Sequence, residues 1–197
     1  MIRVLLVFGT RPEAIKLCPV YRRLDAGDGF EARVCVTAQH RSMLDQVLEA
    51  FGVTPHYDLD LMLPGQTLAQ ATSRILAGLE GVIAAEAPDM VLVQGDTTTT
   101  LAGALAAFYQ KTPVGHVEAG LRTRDLSQPF PEEMNRVVTA RLASLHFAPT
   151  EGAAGHLLAE GVDAASIRVT GNTGIDAVLH VCGELAAGRL RDRKSVV

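Results

Sequence analysis

Residues Ile2 to Phe8 are apolar apart from Arg3, and the run stops abruptly at Gly9 and Thr10, with Pro12 just beyond. A strand with one wet face alternates polar and apolar residues. A short, nearly unbroken apolar run is instead buried on both faces, as in parallel sheets. Pro12 suits the first turn of a helix, with Thr10 as its N-cap. The same strand-turn-helix signature recurs down the chain. Further strands are expected at Glu31 to Thr37, Met90 to Val93, Pro113 to Val117, Leu145 to Ala148 and Ile167 to Thr170. Helices are expected from Pro12 to about Leu24, Arg41 to Phe51, Thr67 to Glu86, through Tyr109 with Thr97 as the cap, Pro131 to about Leu142, and to about Glu160 with Thr150 as the cap. Tyr57 to Leu63 reads equally as a short strand or an edge segment. Strands alternating with helices over short connections give an α/β fold: a doubly wound, Rossmann-like parallel sheet. No internal repeat or low-complexity segment interrupts it.

Residues 1–172 therefore read as one domain. Ile175 to Ala187 follows as a linker helix, then a charged patch from Arg189 to Lys194. Ser195-Val196-Val197 resembles the opening of another buried strand, so residues 173–197 are expected to lead into a second domain absent from the sequence.

Composition narrows the function. Hydrophobic residues make up 48% and charged residues 20%, as in a well-cored globular protein. A net charge of -4 supplies no general attraction for nucleic acid or an anionic membrane. Cys18, Cys35 and Cys182 form no CxxC pair, so they read as free thiols in a reducing compartment, with no metal site. The N-terminal run lacks a signal-peptide cleavage site and is too short to span a membrane, and a cytoplasmic location is expected.

In open α/β sheets, ligands bind at the C-terminal ends of the strands, against helix N-termini. Three such ends are unusually polar. The first carries Gly9, Thr10, Arg11, Glu13 and Lys16, and the fourth carries Gln94, Gly95, Asp96 and Thr97 to Thr100. The fifth carries His116, Glu118, Gly120 and Arg122, followed by Glu132, Glu133, Asn135 and Arg136. Gly9 allows close approach of a ligand to the backbone. Arg11 and Lys16 offer a fork and a point charge to an anion. Asp96, Glu118 and Glu132, if convergent, form a carboxylate group suited to proton transfer. GTRPE is neither a GxGxxG fingerprint nor a P-loop. Each residue also has a plain structural reading. Arg11 and Glu13 can be a surface pair, the threonines a helix cap, and His116 and His146 core histidines. Glu132 and Glu133 can simply favour a helix dipole.

At these motifs the sequence resembles the non-hydrolysing UDP-N-acetylglucosamine 2-epimerases. The matching stretches are VFGTRPEAIKLCPV, VCVTAQHRSMLDQVL, VLVQGDTTTTLAGALAAFYQKTPVGHVEAGLRT, PFPEEMNR and RVTGNTGIDA. The resemblance implies the N-terminal domain of a GT-B type two-domain fold, with the active site between the domains. It implies reversible interconversion of UDP-GlcNAc and UDP-ManNAc through loss of UDP, a 2-acetamidoglucal intermediate and re-addition, with no cofactor or metal. Asp96, Glu118 and Glu132 are then the acid/base carboxylates. Gly9, Arg11, Lys16, His116 and Arg136 lie with the substrate. Gln39 and His40 match positions near an activator site, although Ser42 and Gly65 stand where regulated members carry longer polar or basic side chains. The family's second domain supplies a catalytic-site histidine and most uracil and diphosphate contacts, so the 197-residue chain alone is expected to be inactive or nearly so. A homodimer supplying cell-surface polysaccharide is also implied. A hydrolysing epimerase, a GT-B glycosyltransferase and a non-catalytic folded half remain as alternatives.

Overall fold

The structure, a computed structural model, describes residues 1–37 and 41–190. Seven parallel strands form one sheet: β1 (Ile2–Phe8), β2 (Phe30–Val36), β3 (Tyr57–Asp58), β4 (Met90–Gln94), β5 (Val114–Val117), β6 (Leu145–Ala148) and β7 (Ile167–Val169). Their order is β3-β2-β1-β4-β5-β6-β7. The helices are α1 (Arg11–Asp25), α2 (Arg41–Phe51), α3 (Leu68–Glu86), α4 (Thr98–Tyr109), α5 (Glu132–Leu142), α6 (Glu151–Ala159) and α7 (Thr173–Ala186). This is the doubly wound α/β architecture expected from the sequence.

β1 shows why its apolar run is nearly unbroken. Val4, Leu6 and Phe8 join the core beneath α1 and α2, while Leu5 and Val7 join the core beneath α3 and α4. Alternate residues of a strand face opposite ways, so a strand covered on both sides needs apolar residues throughout. Full burial of each such side chain contributes about 1.5–3 kcal/mol. Arg3, the exception, sits near the exposed start of the strand, where its guanidinium donates to the Glu86 carbonyl at the end of α3.

Between β1 and β4 the order of winding reverses. The chain leaves β1 for strands on one side and returns through α3 to build the other. Such a switch point opens a crevice at the C-terminal ends of the two strands. The crevice here is walled by the β1–α1 and β4–α4 turns.

The ambiguous Tyr57 to Leu63 segment contributes only the two-residue edge strand β3. A short 3-10 turn at Ala164–Ser166 precedes β7. The helix expected at Ile175 begins at Thr173, because Asn172 caps it by accepting a hydrogen bond from Gly174 N. α7 folds back onto this domain: Ala177 is buried in the α1 core, and His180 stacks on Phe51 with ring centroids 4.9 Å apart. The expected strand opening at Ser195 to Val197 lies outside the described residues. Among the described residues no helix is long and apolar enough to cross a membrane.

Candidate functional site

The β1–α1 turn is built around a buried carboxylate. Thr10 and Glu13 form a capping box in which Thr10 Oγ1 accepts from Glu13 N and Glu13 Oε2 accepts from Thr10 N at 2.7 Å. Glu13 Oε2 also accepts from Gly9 N at 3.0 Å. Its other oxygen accepts from Thr97 Oγ1 at 2.6 Å, tying this turn to the next one. Burial pushes the Glu13 carboxyl above its ordinary range, against the hydrogen bonds from Thr97, Gly9 and Thr10. The alternative of an Arg11–Glu13 surface pair is thus excluded. Glu13 is buried, and Arg11 stands exposed at the start of α1 without an ion-pair partner among the described residues.

Gly9 meets a packing demand of its own. A Cβ there would lie 2.1 Å from Thr37 Oγ1 and 2.7 Å from Thr99 Oγ1. Those two hydroxyls are hydrogen-bonded to each other at 2.9 Å. The missing side chain makes room for this pair.

At the next turn, Thr97 caps α4 by accepting from Thr100 N. Asp96, just ahead of the cap, receives Arg136 Nη1 on its Oδ2 at 3.1 Å, and its backbone carbonyl accepts from Asn135 Nδ2 at 2.8 Å. Burial raises the Asp96 carboxyl above its usual range. Arg136 and Lys16 oppose that rise, and the charges of Glu132 and Glu118 reinforce it.

Glu118 follows β5 in the left-handed backbone region, at φ 63°. A non-glycine residue there costs on the order of 1–2 kcal/mol, a strain that collects at functional sites. The turn brings the carboxylate back over the crevice. Its Oε2 accepts from Lys16 Nζ and Gln94 Nε2, each at 2.5 Å, and its Oε1 accepts from Asn172 Nδ2 at 3.4 Å. Glu132, in the first turn of α5, has one buried oxygen, Oε2, with no partner among the described residues. An acceptor in that state is suited to a ligand's donor.

These groups line a single open cleft of about 430 Å³, walled by Thr10, Pro12, Glu13 and Lys16, the Gln94 to Thr98 turn, Glu118, Leu68, and Pro131, Glu132 and Asn135. Four carboxylates (Glu13, Asp96, Glu118 and Glu132) and one ammonium therefore converge at the switch point of the sheet, drawn from the three polar strand ends.

Other candidates stand elsewhere. Arg11 does not line the cleft. Arg136 is 9% exposed and held between Asp96 and Glu133, behind the cleft wall. His116 has no exposed surface, and its Nε2 donates to Gly95 O at 2.7 Å. A carbonyl can only accept, so the proton sits on Nε2 and Nδ1 is left as a buried acceptor without a partner among the described residues. Burial lowers the pKa of His116 to about 4. This histidine shapes the β4–α4 turn from behind and does not reach the cleft. Gln39 and His40 lie outside the described residues.

Sequence reasoning placed Glu13 and Glu133 at the polar strand ends without giving either a role in the site, and gave Asn172 none. Glu13 was legible, because Thr10-x-x-Glu13 spells a capping box. For the other two, no local pattern says which way the side chain turns.

The model of the UDP-N-acetylglucosamine 2-epimerase family matches residues 22–195. The chain belongs to this family. The 2-epimerases of Escherichia coli K12 and Salmonella typhimurium are each 60% identical to it over 179 residues, 91% of this chain and 48% of the relative. The chain thus spans about half the length of the curated relatives it matches. The Neisseria meningitidis epimerase, solved bound to UDP-GlcNAc, superposes with a TM-score of 0.91 at 52% identity, covering 94% of this chain and 50% of that one. The Methanocaldococcus jannaschii epimerase, solved with UDP-GlcNAc and UDP, gives 0.87 at 40% identity, covering 97% and 51%. A Streptomyces glycosyltransferase shares the fold alone, at 15% identity and a TM-score of 0.51. Within the epimerase family, this chain supplies the doubly wound half that carries the carboxylate cleft.

Proposed function

We propose that these residues form the carboxylate half of an active site that inverts C2 of UDP-N-acetylglucosamine, giving UDP-N-acetylmannosamine without releasing free sugar. The observation that carries this reading is the convergence of Asp96, Glu118, Glu132 and Lys16 on one cleft. Inverting C2 requires removing a weakly acidic proton from one face and returning a proton to the other. Carboxylates placed on more than one wall meet that requirement.

In the first half-reaction a carboxylate takes the C2 proton. The C–H electrons form the C1=C2 bond, and the C1–O bond breaks with its electrons leaving on UDP. In the second, a proton is delivered to the opposite face of C2 while a diphosphate oxygen attacks C1. Asp96, whose carboxyl burial holds above its usual range, is better able to carry a proton than an exposed aspartate. Glu118 is fixed by three donors, so its position changes little through the cycle. Lys16 brings positive charge toward the leaving diphosphate.

The whole enzyme is a cytoplasmic homodimer in this reading and supplies UDP-ManNAc for cell-surface polysaccharide. The 197-residue chain by itself turns over little or no substrate. The test is a chimera joining this chain to the second half of the 60%-identical Escherichia coli relative. It is incubated with UDP-GlcNAc in D2O and followed by NMR. UDP-ManNAc carrying deuterium at C2 is expected from the chimera and not from the chain alone. Asp96→Asn in the chimera is expected to lower kcat by about 10²–10⁴-fold, the range of a lost acid/base group. Free ManNAc as the first product would overturn the non-hydrolysing reading.

A further inference from the structure

Glu133 has no exposed surface, does not line the cleft, and has no task in the reaction as written. Its two oxygens nevertheless serve different parts of the molecule. Oε1 accepts from Thr123 N at 3.0 Å and from Arg124 N at 2.9 Å. Arg124 is itself left-handed, at φ 68°, so this turn is held in a conformation that a free loop would seldom visit. Oε2 accepts from Arg136 Nε at 2.5 Å. With that edge pinned, the outer nitrogen Nη1 reaches Asp96 Oδ2 at 3.1 Å. The planar guanidinium is shared between a carboxylate inside the fold and one on the cleft wall, and it has little freedom to do anything else.

We infer that Glu133 is a positioning residue: it holds Arg136 against Asp96 and ties that pairing to the turn at Thr123 and Arg124. The inference depends on the proposed epimerase chemistry only for the importance of Asp96. A carboxylate is needed because both ends must accept. A glutamine has one accepting end, and it must abandon either the turn or the arginine.

The groups facing Asp96 are Arg136 and Glu132 from α5, Glu118 from the end of β5, and Lys16 from α1. Removing the Glu133 charge has two opposed consequences. Loss of a nearby anion by itself lowers the pH at which Asp96 titrates, whereas release of Arg136 raises it. The sign of the change therefore separates a positioning role from a purely structural clamp on the turn.

The experiment uses the 197-residue chain labelled with 13Cγ-aspartate, with the Asp96 resonance followed by NMR across the acid range. Glu133→Gln is expected to raise the Asp96 midpoint by about one pH unit, the smaller end of the effect of a close opposite charge. Arg136→Gln raises it at least as far, and the double variant adds nothing further, because the two residues act as one unit. A midpoint that stays put or falls in folded Glu133→Gln overturns the inference.

A second measurement needs no substitution and stands even where Glu133→Gln fails to fold. The Arg136 Nε–H of the unaltered chain should exchange with solvent roughly tenfold or more slowly than that of exposed Arg11, as a buried, hydrogen-bonded proton does. Equal exchange rates overturn the inference as well. Full epimerisation by Asp96→Asn in the chimera would instead sink the catalytic reading and leave the Glu133 result intact.

Discussion

His116 and Asp96 belong to polar strand ends on neighbouring strands, yet burial moves them in opposite directions. Burial disfavours the charged form, so it raises an acid and lowers a base. His116 is held neutral down to about pH 4 from an ordinary value of 6.5. Between those two values the unfolded chain binds a proton that the native protein refuses. Stability contributed by this site is complete above pH 6.5 and is lost as the pH falls toward 4, by about 3 kcal/mol in all. His116→Gln keeps a donor near Gly95 O and removes the titration. It is expected to be less stable than the parent at pH 7 by about 1 kcal/mol, the typical worth of an imperfectly replaced hydrogen bond. Its stability should also fall less on acidification, so the two urea midpoints cross at about pH 6 and the variant is the more stable by about 2 kcal/mol at pH 4. Glu13, whose pKa is raised, works in the opposite sense in both proteins and cancels in the comparison. Parallel pH profiles would show that His116 does not carry this acid sensitivity. The sequence already offered the core reading of His116, on the ground that a histidine in an apolar strand is usually buried. It offered the ligand reading as well, and nothing in the local sequence shows that the ring is buried against Gly95 O. The same limit explains Glu132 and Glu133. They are adjacent in one helical turn, and rotation about the helix axis alone sends one to the cleft and the other into the fold.

Helix starts were the most legible elements, because a cap is a local device with a local signature. Thr10, Thr97 and Thr150 each cap the helix assigned to them, and Thr67, read as the first residue of α3, proves to be its cap. Elements without such a signature were harder. β3 is two residues long, too short to show alternation, and the turn at Ala164–Ser166 is too short to show a helical period. The Thr97 cap does more than start α4. Its hydroxyl accepts from Thr100 N at 3.1 Å and donates to Glu13 Oε1 at 2.6 Å, so one oxygen joins two helix N-termini across the switch point. Thr97→Val keeps the shape and removes both bonds. A lost cap costs about 1 kcal/mol, and depriving a buried carboxylate of a donor adds about 1–3 kcal/mol. A total loss of about 2–4 kcal/mol is expected in urea unfolding, with most of it restored by Thr97→Ser. A Thr97→Val protein as stable as the parent would mean that the two turns are held together by packing alone.

At the scale of the whole molecule, α7 is covered on one side only. Ala177 and His180 face α1 and α2, while Ile175, Val178 and Leu179 are 63%, 62% and 66% exposed on the other side. Large apolar side chains exposed singly are ordinary, but three grouped along one helix form a patch that water leaves readily. The sequence called α7 a linker helix, since apolar spacing reveals that a helix has a sticky face but not how much of it the same domain covers. The 197-residue chain in solution is therefore expected to self-associate through this stripe. The contact would be apolar, so ammonium sulfate should strengthen it, as excluded salts strengthen apolar burial generally. Val178→Lys with Leu179→Lys should shift sedimentation toward the monomer and reduce binding of an apolar dye. Thermal stability should change by less than about 0.5 kcal/mol, because both side chains point away from the core. Association that weakens in sulfate would identify a contact between charges and remove α7 from the account. Association unchanged by the two lysines would place the sticky surface elsewhere, with exposed Phe108 and Tyr109 at the end of α4 the next residues to substitute.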